Sequence, residues 1–119
     1  MKTHVYTLNL KPDPALIEEY KAHHRAVWPE VTEALCGMGV VRDEIYLLGT
    51  RLVMLLETED DADPLAKLAE YEKASPRLAE WGQRMSAYQE PVREAKEGEW
   101  WAKMERVFAY RRGEGEDGP

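Results

Sequence analysis

Residues 40–58 read Val40-Val41-Arg42-Asp43-Glu44-Ile45-Tyr46-Leu47-Leu48-Gly49-Thr50-Arg51-Leu52-Val53-Met54-Leu55-Leu56-Glu57-Thr58. Two runs rich in branched and aliphatic residues, 40–48 and 51–58, are parted by Gly49-Thr50, the pattern of two antiparallel strands joined by a tight hairpin. Upstream, Gly37 and Gly39 close a segment in which Leu16, Tyr20, His24, Val27, Val31 and Leu35 recur at three- and four-residue spacing. That spacing gives a helix one side to bury. Asp13 can cap its start and Pro14 suits the first helical position, while Pro29 removes a backbone bond and predicts a kink or break near Trp28. Before the helix, residues 3–10 (THVYTLNL) alternate, with His4, Tyr6, Leu8 and Leu10 on one side of a first strand.

Downstream of the hairpin, Asp60-Asp61-Ala62-Asp63-Pro64 opens a second helical stretch through Leu65, Leu68, Tyr71, Leu78, Trp81, Met85 and Tyr88. Pro76 and Pro91 should cut it into pieces, with an end near Val92. Residues 100–110 (WWAKMERVFAY) return to strand chemistry, and 111–119 hold nothing to bury and should form a flexible tail after a single domain at 1–110. The order strand, helix, strand, strand, helix, strand is the βαββαβ arrangement of ferredoxin-like domains, an α+β class in which helices cover one face of an antiparallel sheet. No helix remains for the other face. A half-apolar face of several hundred Å² is usually hidden in a partner, so a homodimer packed sheet to sheet, a dimeric α+β barrel, is expected.

Composition removes several functions. At 119 residues with 44% apolar and 33% charged content, the chain is one globular domain. Sixteen basic against 23 acidic residues, a net charge of -7, oppose nucleic acid as a partner. No apolar run approaches a membrane span, and the N-terminus lacks the charged-then-apolar pattern of a secretory signal, so a cytoplasmic protein without membrane contact is expected. Cys36 has no second cysteine to pair with and, among Ala34, Leu35 and Met38, reads as a small buried hydrophobe. His4, His23 and His24 form no ligand pattern with Cys36, and Gly37-x-Gly39 ends a helix where a phosphate loop would begin one. Neither metal nor cofactor is expected.

Chemistry concentrates in residues 19–30, EYKAHHRAVWPE. Tyr20 and His24 project from successive turns of one helix face, and Trp28 would join them if the helix persisted. A phenol, an imidazole and an indole in one cleft suit a neutral sugar. Aromatic faces cover the C–H side of the ring, and a histidine exchanges protons near neutrality. Opening a pyranose needs a proton delivered to the ring oxygen and one removed from the anomeric hydroxyl. On the apolar pattern alone, the plainer reading is the favoured one: two core aromatics and a satisfied or exposed histidine.

The segment resembles the L-rhamnose mutarotase family, whose first helix carries a Tyr-x-x-x-His-x-x-x-Trp-Pro-Glu run matched by Tyr20, His24, Trp28, Pro29 and Glu30. The resemblance continues through Gly39, Ile45-Tyr46-Leu47, Trp81, Met85 and the terminal Glu105-x-Val107-Phe108, about residues 3–110 in all. It implies a mutarotase that interconverts the α and β anomers of L-rhamnose or a related aldose. His24 is then the acid/base residue, Tyr20 a substrate-binding tyrosine and Trp81 an aromatic of the sugar site. The chain departs from the family in having Asp43 where relatives carry a second tyrosine, and Trp81-Gly82 where they carry paired tryptophans. Asp43 can hold a sugar hydroxyl or act as a second proton carrier, or Arg42-Asp43-Glu44 is a solvated strand start, the favoured reading. His23 stands in reserve as a base, and Trp100-Trp101 put their rings on opposite sides of the sheet, one in the dimer core and the other near the cleft, or both serve interface packing, the favoured reading. Two rivals share the fold: a dimeric α+β barrel monooxygenase and a sugar-binding protein without catalysis.

Overall fold

The computed structural model describes residues 1–59 and 63–113. Along the chain run β1 (Lys2–Leu10), α1 (Pro14–Arg25), α2 (Pro29–Gly37), β2 (Val40–Leu48), β3 (Arg51–Thr58), α3 (Pro64–Ala74), α4 (Pro76–Ser86), β4 (Gln89–Glu90) and β5 (Ala102–Lys103). The strands form one antiparallel sheet in the order β2-β3-β1-β4, with β5 on the same edge of β1 as β4. This is the expected α+β arrangement.

The hairpin forms as read, with Leu48 opposite Arg51 and Gly49 at φ 61, a value that a residue without Cβ adopts freely. Asp13 caps α1 by accepting from the Ala15 and Leu16 amides, and Pro14 begins it. The helix stops at Arg25 and restarts at Pro29, the break that proline demands. Pro76 makes the same break between α3 and α4, and Ser75 before it caps α4, its hydroxyl accepting from the Leu78 amide.

Pairing of Tyr6 with Met54 and Leu8 with Leu52 sets all four on the helix-covered face, where they are buried with Leu10 and Leu56. The other face presents Val5, Val53 and Leu55, half-buried, and Tyr46 and Leu48, exposed. Thus the core lies on one side of the sheet, between it and the four helices.

Three expectations need correction. The second helical stretch ends at Ser86, not near Val92, because Gln89 and Glu90 are drawn into pairing with Leu10 and Asn9 and Pro91 favours extended backbone before it. The last strand is only two residues long. Lys103 pairs with Tyr6 and Met104 donates to the Val5 carbonyl, but in that register β1 runs out within four residues, leaving Val107 and Phe108 85% and 80% exposed. Cys36 is exposed: Ala34 and Met38, one turn apart, take the buried side of α2 and residue 36 falls opposite. In the expected tail, Arg111 reaches Glu57 at 3.9 Å, and residues 114–119 lie outside the described residues, as do 60–62 ahead of α3. Among the described residues no helix is long and apolar enough to cross a membrane.

Candidate active site

The last two turns of α1 carry Tyr20 and His24 on the inner side, with ring centroids 4.4 Å apart. Tyr20 is buried in the core with Leu10, Leu52, Trp81 and Met85. His24 Nδ1 lies 2.9 Å from the Tyr20 carbonyl oxygen. A carbonyl only accepts, so Nδ1 carries the hydrogen and the neutral ring keeps its lone pair on Nε2. Burial lowers the His24 pKa, the carbonyl bond opposes that shift, and the neighbouring His23 adds to it. At neutral pH the imidazole is therefore uncharged, with Nε2 as a base.

Both residues line a cavity of about 660 Å³ between the sheet and the helices. Trp81, from α4, forms part of its wall and meets His24 edge to face at 5.6 Å. Most of the remaining surface is aliphatic, supplied by Leu52, Met54, Leu56, Leu65 and Leu68 among others. A pocket that is mostly apolar with a few convergent polar groups is the ordinary form of a small-molecule site.

Asp43 stands opposite Leu56 in the hairpin and so faces this cavity, not the solvent-side face of β2. Water reaches it through the cavity mouth, yet the surrounding protein strips enough hydration to lift its carboxyl pKa to about 6. Tyr20 rises to about 12, chiefly through burial, against a hydrogen bond from Gln89 and with the Asp43 charge adding to the rise. The phenol keeps its proton at any physiological pH.

Trp28 does not line the cavity. The break after α1 swings its indole against the far side of Trp81, centroids 5.3 Å apart, and the Arg77 guanidinium covers it at 3.8 Å. It braces the Trp81 wall from outside. His23 also points away: Tyr88 spends its proton on Glu19 Oε1 at 3.0 Å, so His23 Nε2 must donate to the Tyr88 oxygen at 3.1 Å.

Two cavity residues, Gln89 and Glu72, were not read from the sequence as part of the site, and a third, Trp101, was placed near the cleft only as the less favoured reading. Gln89 is buried and joins Trp100 and Tyr20 by hydrogen bonds. The polar Gln-Glu pair before Pro91 was the available signal. Trp101 lines the cavity, whereas the pair Trp100-Trp101 read foremost as interface. Glu72 enters the lining beside Gly82, where a Cβ would stand 2.5 Å from Glu72 Oε2, and burial raises its pKa. Among the described residues, no three His, Cys, Asp or Glu side chains are gathered as a metal site.

Residues 3–110 match the family model described as L-rhamnose mutarotase. An L-fucose mutarotase of Xanthomonas campestris pv. campestris is 40% identical over 106 residues, 87% of this chain and 84% of that protein. A UPF0734 protein of Dictyostelium discoideum is 40% identical over 110 residues, 90% of this chain and 88% of that protein. Among solved structures, an L-rhamnose mutarotase from Formosa agariphila superposes with a TM-score of 0.68 at 18% identity, over 93% of this chain and 100% of that one. Tetracenomycin F2 cyclase from Streptomyces glaucescens, a type-II polyketide cyclase, gives 0.66 at 22% identity, over 93% and 98%. At those identities the two structures share the fold with this chain.

Proposed function

The chain belongs to the L-rhamnose mutarotase family, and on that premise we propose that it interconverts the α and β anomers of a 6-deoxy aldose such as L-rhamnose or L-fucose, with His24 as the proton-exchanging residue. It is a sugar mutarotase, an isomerase acting on carbohydrates. The observation that carries the assignment of His24 is its tautomer: Nδ1–H is committed to the Tyr20 carbonyl, so the Nε2 lone pair is the basic site of a ring that lines the cavity.

In this reading a pyranose lies against Trp81, whose indole face covers ring C–H groups. His24 Nε2 takes the anomeric hydroxyl proton while the ring oxygen gains one, the C1–O5 bond opens, and the aldehyde turns before the same transfers run backwards. Tyr20 orients a sugar oxygen through its phenol. Asp43 accepts from a hydroxyl or, when protonated, supplies a proton. Trp28 serves by holding Trp81 in place. Saturation-transfer NMR across a panel of aldoses reads exchange between anomers directly. The wild-type protein should speed exchange for a 6-deoxy aldose and His24→Gln should not. A variant that equilibrates anomers as fast as the parent would sink the assignment of His24, and a wild-type protein that binds sugar without speeding exchange would make this a binding protein.

We also propose a homodimer built on the open sheet face, with residues 1–110 as its unit. What supports it is the row Val5, Leu55, Val53, Tyr46 and Leu48 on that face, beside the exposed Val107, Phe108 and Tyr110. Sedimentation at micromolar concentration should give a dimer that Leu55→Glu dissociates. A wild-type monomer under those conditions would remove this part of the proposal.

A further inference from the structure

Gln89 and Trp100 lie outside the family's motif, yet together they decide which way the Tyr20 hydroxyl points. Gln89 sits on β4, fixed by backbone pairing with Leu10, and the Lys11 amide donates to the Tyr88 carbonyl at 2.9 Å beside it. The loop that follows is closed by Glu99, whose two carboxylate oxygens accept from the Lys96 and Lys103 amides at 2.9 and 3.1 Å. That closure holds Trp100 where its indole N–H meets Gln89 Oε1 at 2.9 Å.

An indole nitrogen only donates, so the amide atom facing it must be oxygen, and the amide NH₂ is turned to Tyr20, 3.3 Å from the phenol oxygen. The orientation of the amide is thus set by chemistry, with no choice between its two ends. A phenol oxygen has one proton, which lies near the ring plane. With Gln89 donating to that oxygen, the proton is not spent on Gln89, and Tyr20 has no acceptor for it among the described residues. Were the amide reversed, the Tyr20 proton would go to Gln89 and only a lone pair would remain for a ligand.

We infer that Trp100 and Gln89 are positioning residues that hold Tyr20 as a hydrogen-bond donor toward an acceptor oxygen of the bound sugar, its ring oxygen or a hydroxyl. This rests on the mutarotase reading. The relay also accounts for the course of the 91–101 loop, which brings the indole back to the site that β4 has already passed.

The test uses the full chain and the anomeric-exchange assay. Gln89→Glu keeps the shape but, ionised, accepts from both Trp100 and Tyr20, drawing the Tyr20 proton away from the sugar. Its kcat/KM should fall about tenfold at pH 8, the worth of one hydrogen bond. The ratio of variant to wild type should climb as pH falls, because the protonated carboxyl can accept from Trp100 and donate to Tyr20 as the amide does. Trp100→Phe, which frees the amide to flip, should lower kcat/KM without altering the pH profile in this way. In a Tyr20→Phe background neither Gln89→Met nor Trp100→Phe should cost more. Full activity of these variants in an active wild-type background, or losses that simply add to that of Tyr20→Phe, would overturn the relay alone. A wild-type protein that accelerates no aldose in the panel would overturn the mutarotase reading and the relay with it.

Discussion

Asp43→Asn should make the protein more stable above pH 6 and no more stable below pH 4. The folded chain lifts this carboxyl from its usual 3.8 to about 6, through burial. A group whose pKa is raised by folding favours the folded state while protonated, and that contribution fades as pH rises through the folded value. At neutral pH the wild-type protein holds a poorly hydrated carboxylate, which an amide of the same shape replaces without charge. The interval from 3.8 to about 6, at 1.36 kcal/mol per pH unit, sets a ceiling of about 3 kcal/mol. Water enters through the cavity mouth and screens much of this, leaving about 1 kcal/mol. For a domain of this size that is a rise in Tm of about 4 °C.

Thermal melts of both proteins at half-unit steps from pH 4 to 8 would trace the difference. It should open between pH 4 and 7 and then level off. A difference that is flat with pH, or largest in acid, would refute the placement of Asp43 against the cavity. The variant should also lose anomeric exchange, since a group that destabilises the fold at working pH and faces the ligand is the usual mark of a site.

Four further outcomes are open to measurement. His24→Gln should cost at least about a hundredfold in anomeric exchange, the range of a general acid/base, while Tm shifts by no more than the loss of one hydrogen bond to the Tyr20 carbonyl, about 1 kcal/mol. Wild-type activity should persist below pH 6.5, where an exposed imidazole would be half protonated, because burial lowers the pKa of His24; a half-loss at or above 6.5 in the pH–rate profile would contradict that. Trp28→Ala should destabilise by about 3 kcal/mol in denaturant unfolding and raise KM more than it lowers kcat, since the ring braces Trp81 without touching the cavity. Gly82→Ala, whose Cβ would crowd Glu72 Oε2, should turn that flexible carboxylate aside and alter the ranking of sugars in the panel while changing stability by less than about 1 kcal/mol.

What could be read from the sequence was whatever depends on neighbours along the chain. The hairpin around Gly49, the cap at Asp13 and the breaks at Pro29 and Pro76 are local, and each forms where the spacing put it. Residues 89–110 follow a different rule. Whether Gln89 is helical or paired is decided by the free edge of β1, and whether Val107 is buried depends on how far that edge extends, neither of which periodicity records. The site shows the same division. Tyr20 and His24 share a helix face and were legible as a pair, whereas Trp28 left the cavity because the predicted break rotated it out. Asp43 is exposed, as read beside Arg42 and Glu44, but it also lines the cavity, and alternation alone does not say which side of an edge strand has helices over it.

Burial acts on His24 and Asp43, both in the cavity lining, in opposite directions. It lowers His24, leaving a base with a free lone pair, and lifts Asp43 to about 6, so that a minor share of this carboxyl still holds its proton near neutrality. Taking a proton from a neutral sugar onto a neutral imidazole creates two charges, and aliphatic side chains, which make up most of the wall, stabilise ions poorly, so delivering a proton to the ring oxygen as the other leaves keeps the sugar itself neutral. Ring opening needs one proton to leave the anomeric hydroxyl and one to reach the ring oxygen, and the cavity supplies an acceptor in His24 Nε2 and donors in Tyr20 and protonated Asp43. The apolar lining thus shifts both pKa values toward one another, and the same desolvation that costs stability at Asp43 keeps His24 a base where a solvated imidazole would begin to protonate.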